Sequence, residues 1–139
     1  MLMMIKQLDL NIMYFNCNSL INKLEEFKNF LSEKEIGVGC LSETFLKSNH
    51  AINLKNYTMI RKDDSNTVRG GGVALVVHKD IDFIELKVPT LKTIPSVCAI
   101  KVRCMNDEDI VIASIYIQNS IKKIDSRDLA LIMSTQEQY

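Results

Sequence analysis

The run Ile36-Gly37-Val38-Gly39-Cys40-Leu41 contains no polar side chain to alternate with its apolar ones. A strand of that kind needs cover on both faces, so the chain must place structure on either side of a sheet. The residues ahead of it supply one such layer. Leu20, Leu24, Phe27 and Leu31 recur at helical spacing, with Lys23, Glu25, Glu26 and Lys28 between them. This predicts an amphipathic helix, with Asn18 or Ser19 as its N-cap. Residues 8–15 alternate before it, with Leu8, Leu10, Ile12 and Tyr14 forming the face expected to be buried. Strand, helix and strand in this order make a crossover unit.

Further strands are expected at Tyr57–Arg61, Val73–Val77 and residues 83–88, the last ended by Pro89. Residues 97–104 alternate, with Cys98, Ile100, Val102 and Cys104 inward and Lys101 and Arg103 outward. A turn over Asn106 to Asp109 leads to a buried strand from Ile110 to Ile117, so these two strands read as a hairpin. Asp125 or Ser126 is expected to cap a last helix through Leu129, Ile132 and Met133. Gly70-Gly71-Gly72 opens a strand rather than a helix and lacks the following Lys-Ser/Thr of a phosphate-binding loop. Close backbone packing at the strand start accounts for it better.

Basic and acidic residues balance at 17 each, giving no net charge over the 139 residues. Binding by bulk phosphate attraction normally shows a basic excess. Contact with nucleic acid would have to be local, through Arg61, Lys62 and Arg69, unless these three simply form a solvated loop. Cys17, Cys40, Cys98 and Cys104 have no paired spacing and mostly fall in strand patterns. They read as reduced core thiols, which places the chain in a reducing compartment, nucleus or cytoplasm. No apolar run is long enough to cross a membrane. His50 and His78 read as surface residues, with no serine or cysteine placed to pair with them.

Asn16, Glu43 and Tyr116 each stand at or just past the end of an apolar strand. If the strands share one sheet, an amide, a carboxylate and a phenol meet at one rim, a set suited to a divalent metal holding a phosphate. Each also has an ordinary role. A strand-end asparagine makes turns, an acid after a strand lines a loop, and a tyrosine in a strand packs in the core.

The order of the motifs adds to this. Ile12-Met13-Tyr14-Phe15-Asn16-Cys17-Asn18-Ser19-Leu20 is followed by Asn22-Lys23-Leu24 and by Cys40-Leu41-Ser42-Glu43-Thr44-Phe45-Leu46. Arg61-Lys62-Asp63, Arg69-Gly70-Gly71-Gly72-Val73-Ala74 and Ser114-Ile115-Tyr116-Ile117 come next. In this register, from about residue 9 to 120, the chain resembles the N-terminal part of an endonuclease/exonuclease/phosphatase domain. It is most similar to the endonuclease of LINE-type, jockey-like non-LTR retrotransposons, whose polyprotein continues into a reverse transcriptase. The resemblance implies an α/β (α+β) fold, part of a four-layer sandwich of the deoxyribonuclease I type, with residues 8–139 forming the N-terminal portion of one domain.

The resemblance also implies magnesium-dependent cleavage of a DNA phosphodiester by an activated water, with manganese as a substitute ion. Glu43 matches the metal-binding glutamate and Asn16 the asparagine beside the metal and its phosphate. Tyr116 matches the tyrosine that steadies the scissile phosphate. Asn119 matches a polar residue near the substrate backbone, Asn18 stands where relatives carry an acid or another polar group, and Arg69 opens the arginine-glycine element. Phe15, Ser42 and Gln118 replace the usual tryptophan, glutamine and proline. Nothing after Tyr116 matches the downstream Asp-x-Asn and Asp-His pairs. From this, residues 8–42 and 97–117 are expected to form one sheet with an apolar face uncovered, and the isolated chain to be loosely folded or self-associated. A non-catalytic binding remnant and a phosphatase of the same superfamily are the alternatives.

Overall fold

The computed structural model describes residues 10–64, 71–89, 91, 96–104, 108–117 and 125–133. Among the described residues seven strands and two helices follow one another: β1 (Ile12–Asn16), α1 (Leu24–Glu33, entered through a 3-10 turn at Ile21–Lys23), β2 (Val38–Ser42), β3 (Tyr57–Lys62), β4 (Val73–His78), β5 (Phe83–Leu86), β6 (Ser96–Arg103), β7 (Asp109–Tyr116) and α2 (Ser126–Met133). They form two sheets, ordered β1-β2-β4-β3 and β5-β6-β7.

The crossover is present: β1 and β2 run parallel, with Asn16 opposite Ser42. All other pairings are antiparallel, including the β6–β7 hairpin. Every residue of β2 is buried because both its faces are covered. One face packs Leu41, with Ala74 and Val76 of β4, against Leu20, Phe27 and Leu31 of the helix layer. The other packs Val38 and Cys40, with Leu75 and Val77, against Cys98, Ile100 and Ile112 of the second sheet. On the far side of that second sheet, Val97 meets Ile132 of α2. Helix, sheet, sheet, helix is therefore the layer order, as the sequence implied.

The single-sheet expectation is wrong. β1 and β2 lie in one sheet and β6 and β7 in the other, so the apolar faces cover one another within the chain. Two strands that are buried on both faces cannot shield each other edge to edge; stacking them removes far more apolar surface from water. The expected burial in β1 is also reversed. Ile12 and Tyr14 are 51% and 67% exposed, whereas Met13 and Phe15 pack on the helix side. The second sheet packs on β2, β4 and β3, while the same face of β1 stays open to solvent at Ile12 and Tyr14.

Asn18 and Ser19 do not cap α1 with their side chains. Both have positive φ, 42° and 82°, and the chain end entering the helix is held by backbone bonds to the segment after β2 instead. Asp125 does cap α2, accepting the Arg127 N–H at 2.9 Å. The four cysteines are free, and Cys17, Cys40 and Cys98 are buried, as expected.

Leu75 is fully buried between the two sheets. Leu75→Ala is predicted to cost about 2–5 kcal/mol, the range for a leucine truncated in a packed core. Urea denaturation checks this; a loss below about 1 kcal/mol would mean that the inter-sheet core is loose.

Candidate functional site

β2 runs out at Ser42, and in the irregular segment that follows Glu43 and Phe45 have φ of 51° and 53°. The left-handed region is costly for such residues and persists only where surrounding contacts impose it. Those contacts come from two sides. The Cys17, Ser19 and Leu20 N–H groups donate to the carbonyls of Ser42, Glu43 and Thr44 at 2.8, 3.1 and 3.0 Å. The Thr44 and Phe45 N–H groups donate to the carbonyls of Gly72 and Gly71 at 3.3 and 2.9 Å. The Glu43 turn is thus clamped between the loop after β1 and the glycine segment before β4.

The segment beyond is fixed by Arg61. Its guanidinium donates to the carbonyls of His50 and Lys47 at 2.6 and 2.7 Å. It also forms a two-pronged pair with Asp63, at 3.0 and 2.7 Å. A fork so fully engaged is a structural brace rather than a phosphate contact. Lys62 is exposed. His78 is not a plain surface residue: its ring packs edge-on against Tyr57, centroids 5.2 Å apart. His50 accepts the Lys47 N–H at 3.0 Å.

Tyr116 arrives from the opposite sheet, at the end of β7. Two residues earlier, Ser114 donates to the Leu41 carbonyl at 2.7 Å and ties the sheets together at this level. The Tyr116 phenol stands close enough to the Glu43 carboxylate to feel its charge. Burial raises its pKa, and the charges of Glu43 and Asp64 push the same way. The phenol is therefore held neutral, as a proton donor. Gly71 explains the close fit: a Cβ there would lie 3.4 Å from Tyr116 Cε1 and 3.1 Å from Asp64 Oδ2.

The structure thus unites Glu43 and Tyr116, across a gap between sheets rather than along one rim. Asn16 ends β1 beside Ser42 and is exposed. On the same face, the Tyr14 hydroxyl and Ser42 Oγ are 2.9 Å apart. Asn18 is exposed in the loop that holds the Glu43 turn. Arg69 and Asn119 lie outside the described residues. Sequence reasoning missed Asp64, whose only signal was its place after Arg61-Lys62-Asp63. It also missed Tyr14, hidden by its apparent place on a buried face.

Among the described residues, no three His, Cys, Asp or Glu side chains gather as a metal cage. One half-buried carboxylate, Glu43, with the Asn16 amide nearby fits a hard cation that keeps several waters and takes phosphate oxygens, the usual habit of magnesium. The donors do not fit a zinc-type site, since Cys17 is the neighbouring sulfur and its pKa is pushed up to about 12. Burial dominates that shift; Lys23 opposes it and Glu43 adds to it.

By sequence, the chain matches no protein-family model and no curated protein. Several solved structures share its fold. The endonuclease domain of TRAS1, a telomere-specific non-LTR retrotransposon, aligns with a TM-score of 0.62 at 14% identity, covering 89% of this chain and 52% of that one. The AP endonuclease LMAP from Leishmania major gives a TM-score of 0.60 at 13% identity, over 90% of this chain and 44% of that one. The 3'-5' exonuclease NExo from Neisseria meningitidis gives 0.52 at 20% identity, over 76% and 40%. The chain has the endonuclease/exonuclease/phosphatase fold of the deoxyribonuclease I type, and it spans about half or less of the length of these structures.

Thiol reactivity checks the burial around Asn16. At pH 8, Cys17, Cys40 and Cys98 should resist a disulfide reagent in the native chain while half-buried Cys104 reacts. The thiols of Cys17 and Cys98 are raised from 9.0 to about 12 by burial. A raised acid stabilises the fold fully below its unfolded pKa and loses that contribution as pH climbs to its folded one. Stability should therefore fall between pH 9 and 12. Rapid native labelling of Cys17, or flat stability over that window, would contradict the packing.

Proposed function

We propose that this chain is part of a divalent-metal-dependent phosphodiesterase domain, a DNA endonuclease of the non-LTR retrotransposon type, whose complete protein also carries a reverse transcriptase. The observation that carries this reading is that the fold brings Tyr116 from one sheet beside the Glu43 segment of the other, the Tyr116 ring lying against Gly71, whose carbonyl holds Phe45. Glu43 would hold magnesium or manganese, with the Asn16 amide turned to the metal and its phosphate. A bound divalent ion supplies charge that polarises a phosphate and acidifies a water. Tyr116 would donate a hydrogen bond to a non-bridging phosphate oxygen, keeping its proton, and Asn18, Asn119 and Arg69 would contact the DNA backbone. DNA is the partner, met through local contacts because the chain has no net charge. An intracellular, reducing location fits the free thiols; among the described residues no helix is long and apolar enough to cross a membrane.

The second reading is a remnant that binds without cutting. The absence of a third metal-ligating side chain among the described residues favours it. A general base and charge stabilisers each supply about 10²–10⁴ in rate, and this chain offers no match for the family's downstream residues in those roles. The chain by itself is therefore predicted not to nick supercoiled plasmid with magnesium or manganese at neutral pH. Nicking above buffer that disappears in Glu43→Ala protein would show that the site is complete.

Joining the chain to the uncovered portion of a relative such as the TRAS1 domain separates the two readings. In an active chimera, Glu43→Gln should cost more activity than Tyr116→Phe, and excess magnesium should partly restore it, because the loss is a ligand charge. Tyr116→Phe should lose on the order of 2–4 kcal/mol of transition-state stabilisation, at every magnesium concentration. Nicking rate against magnesium concentration measures both. A Glu43→Gln chimera with parental rate and metal dependence would reduce Glu43 to a loop acid.

A further inference from the structure

Gly72 sits 28 residues beyond Thr44 in sequence but directly against it in the fold. Its φ is +91°, and a Cβ there would come within 2.7 Å of Thr44 Oγ1, closer than real side chains approach. Thr44 is fully buried, and its hydroxyl has no hydrogen-bond partner among the described residues. An orphaned buried hydroxyl is unfavourable, so what remains at this position is fit: the threonine fills the space that the glycine leaves. Thr44 is also the link between the two left-handed residues, Glu43 and Phe45. Gly71 repeats the arrangement one residue earlier, with no positive φ. Its bare Cα leaves room for the Tyr116 ring and for Asp64 Oδ2. The carbonyls of the two glycines receive the Phe45 and Thr44 N–H groups.

We propose that the bare Gly71-Gly72 backbone is the positioning element of the site, Gly72 steering Glu43 through Thr44 and Gly71 admitting Tyr116 beside it. The inference rests on the reading of Glu43 and Tyr116 as the working pair, and it gives the triple glycine a task beyond starting a strand. Neither glycine touches substrate or metal; both act through their neighbours. The loop after β1 holds Glu43 from one side through the Ser19 N–H, and two glycine carbonyls and one steric contact hold the segment from the other, so added bulk at either glycine displaces the carboxylate relative to Tyr116 before it disturbs the sheets.

The test is 19F NMR of the whole chain carrying 3-fluorotyrosine, with the Tyr116 signal assigned from Tyr116→Phe, as manganese chloride is added. In the parent chain manganese should broaden the Tyr116 signal ahead of that of Tyr57. Gly72→Ala should shift the metal-free Tyr116 resonance and raise the manganese needed for half-broadening about tenfold, the scale for losing an outer support of a ligand. Gly72→Ala/Thr44→Ala, which removes the crowded hydroxyl, should recover both in part. Gly39→Ala crowds the core elsewhere, 2.6 Å from Val76 Cγ2, and should leave both unchanged. A Gly72→Ala signal like the parent's, or a Gly39→Ala chain showing the same losses, overturns the proposal. If Gly72→Ala does not fold, Gly71→Ala is decisive: a smaller displacement in the same sense supports the proposal and a parental signal refutes it. A parent that shows no manganese effect would sink the metal reading alone, since the metal-free resonance still reports on Tyr116.

Discussion

The stacking of the four-stranded sheet on the three-stranded one is the constraint on which the rest depends. Val38, Cys40, Leu75 and Val77 from one side meet Cys98, Ile100 and Ile112 from the other. That burial sets the distance between the sheets, and with it how Tyr116 at the end of β7 stands to Glu43 at the end of β2. The Ser114 hydroxyl on the Leu41 carbonyl pins the register at the same height. Without the stack, these two residues would sit on separate elements with nothing to bring them together.

The candidate site correspondingly borders a packed interior. Glu43 and Tyr116 each follow residues with little freedom to move: the fully buried β2 and the inward-facing Ser114. Left-handed backbone occurs at Glu43 and Phe45 against the glycine carbonyls, and at Asn18 and Ser19 in the loop after β1. Arg61 absorbs the next source of slack by holding the segment from Lys47 to His50. Rigid strands, a strained turn and a braced loop together place one carboxylate against one phenol. Such support matters because functional geometry is lost with displacements of about 1 Å.

The edge at β1 differs in character. Ile12 and Tyr14 face the level of the second sheet but remain open to solvent. The similar solved structures are about twice as long as the part this chain matches. Tyr14 shares a polar contact with Ser42 beside Asn16, so this exposed edge adjoins the segment that carries Glu43.

The sequence by itself determined the elements. The unbroken apolar run at β2, the helical spacing of Leu20 to Leu31 and the alternation at Cys98 to Val102 were legible because each is a local period repeated along one element. The register of motifs made the fold legible as a resemblance. Tertiary structure alone decided which strands share a sheet, which face of β1 is buried, and that Arg61 is a brace. It alone decided that Asp64 and the two glycines border the site. The physical reason is that these depend on contacts between residues far apart in the chain. A strand's sequence states that it needs cover, but only the energy of the packed whole selects what covers it.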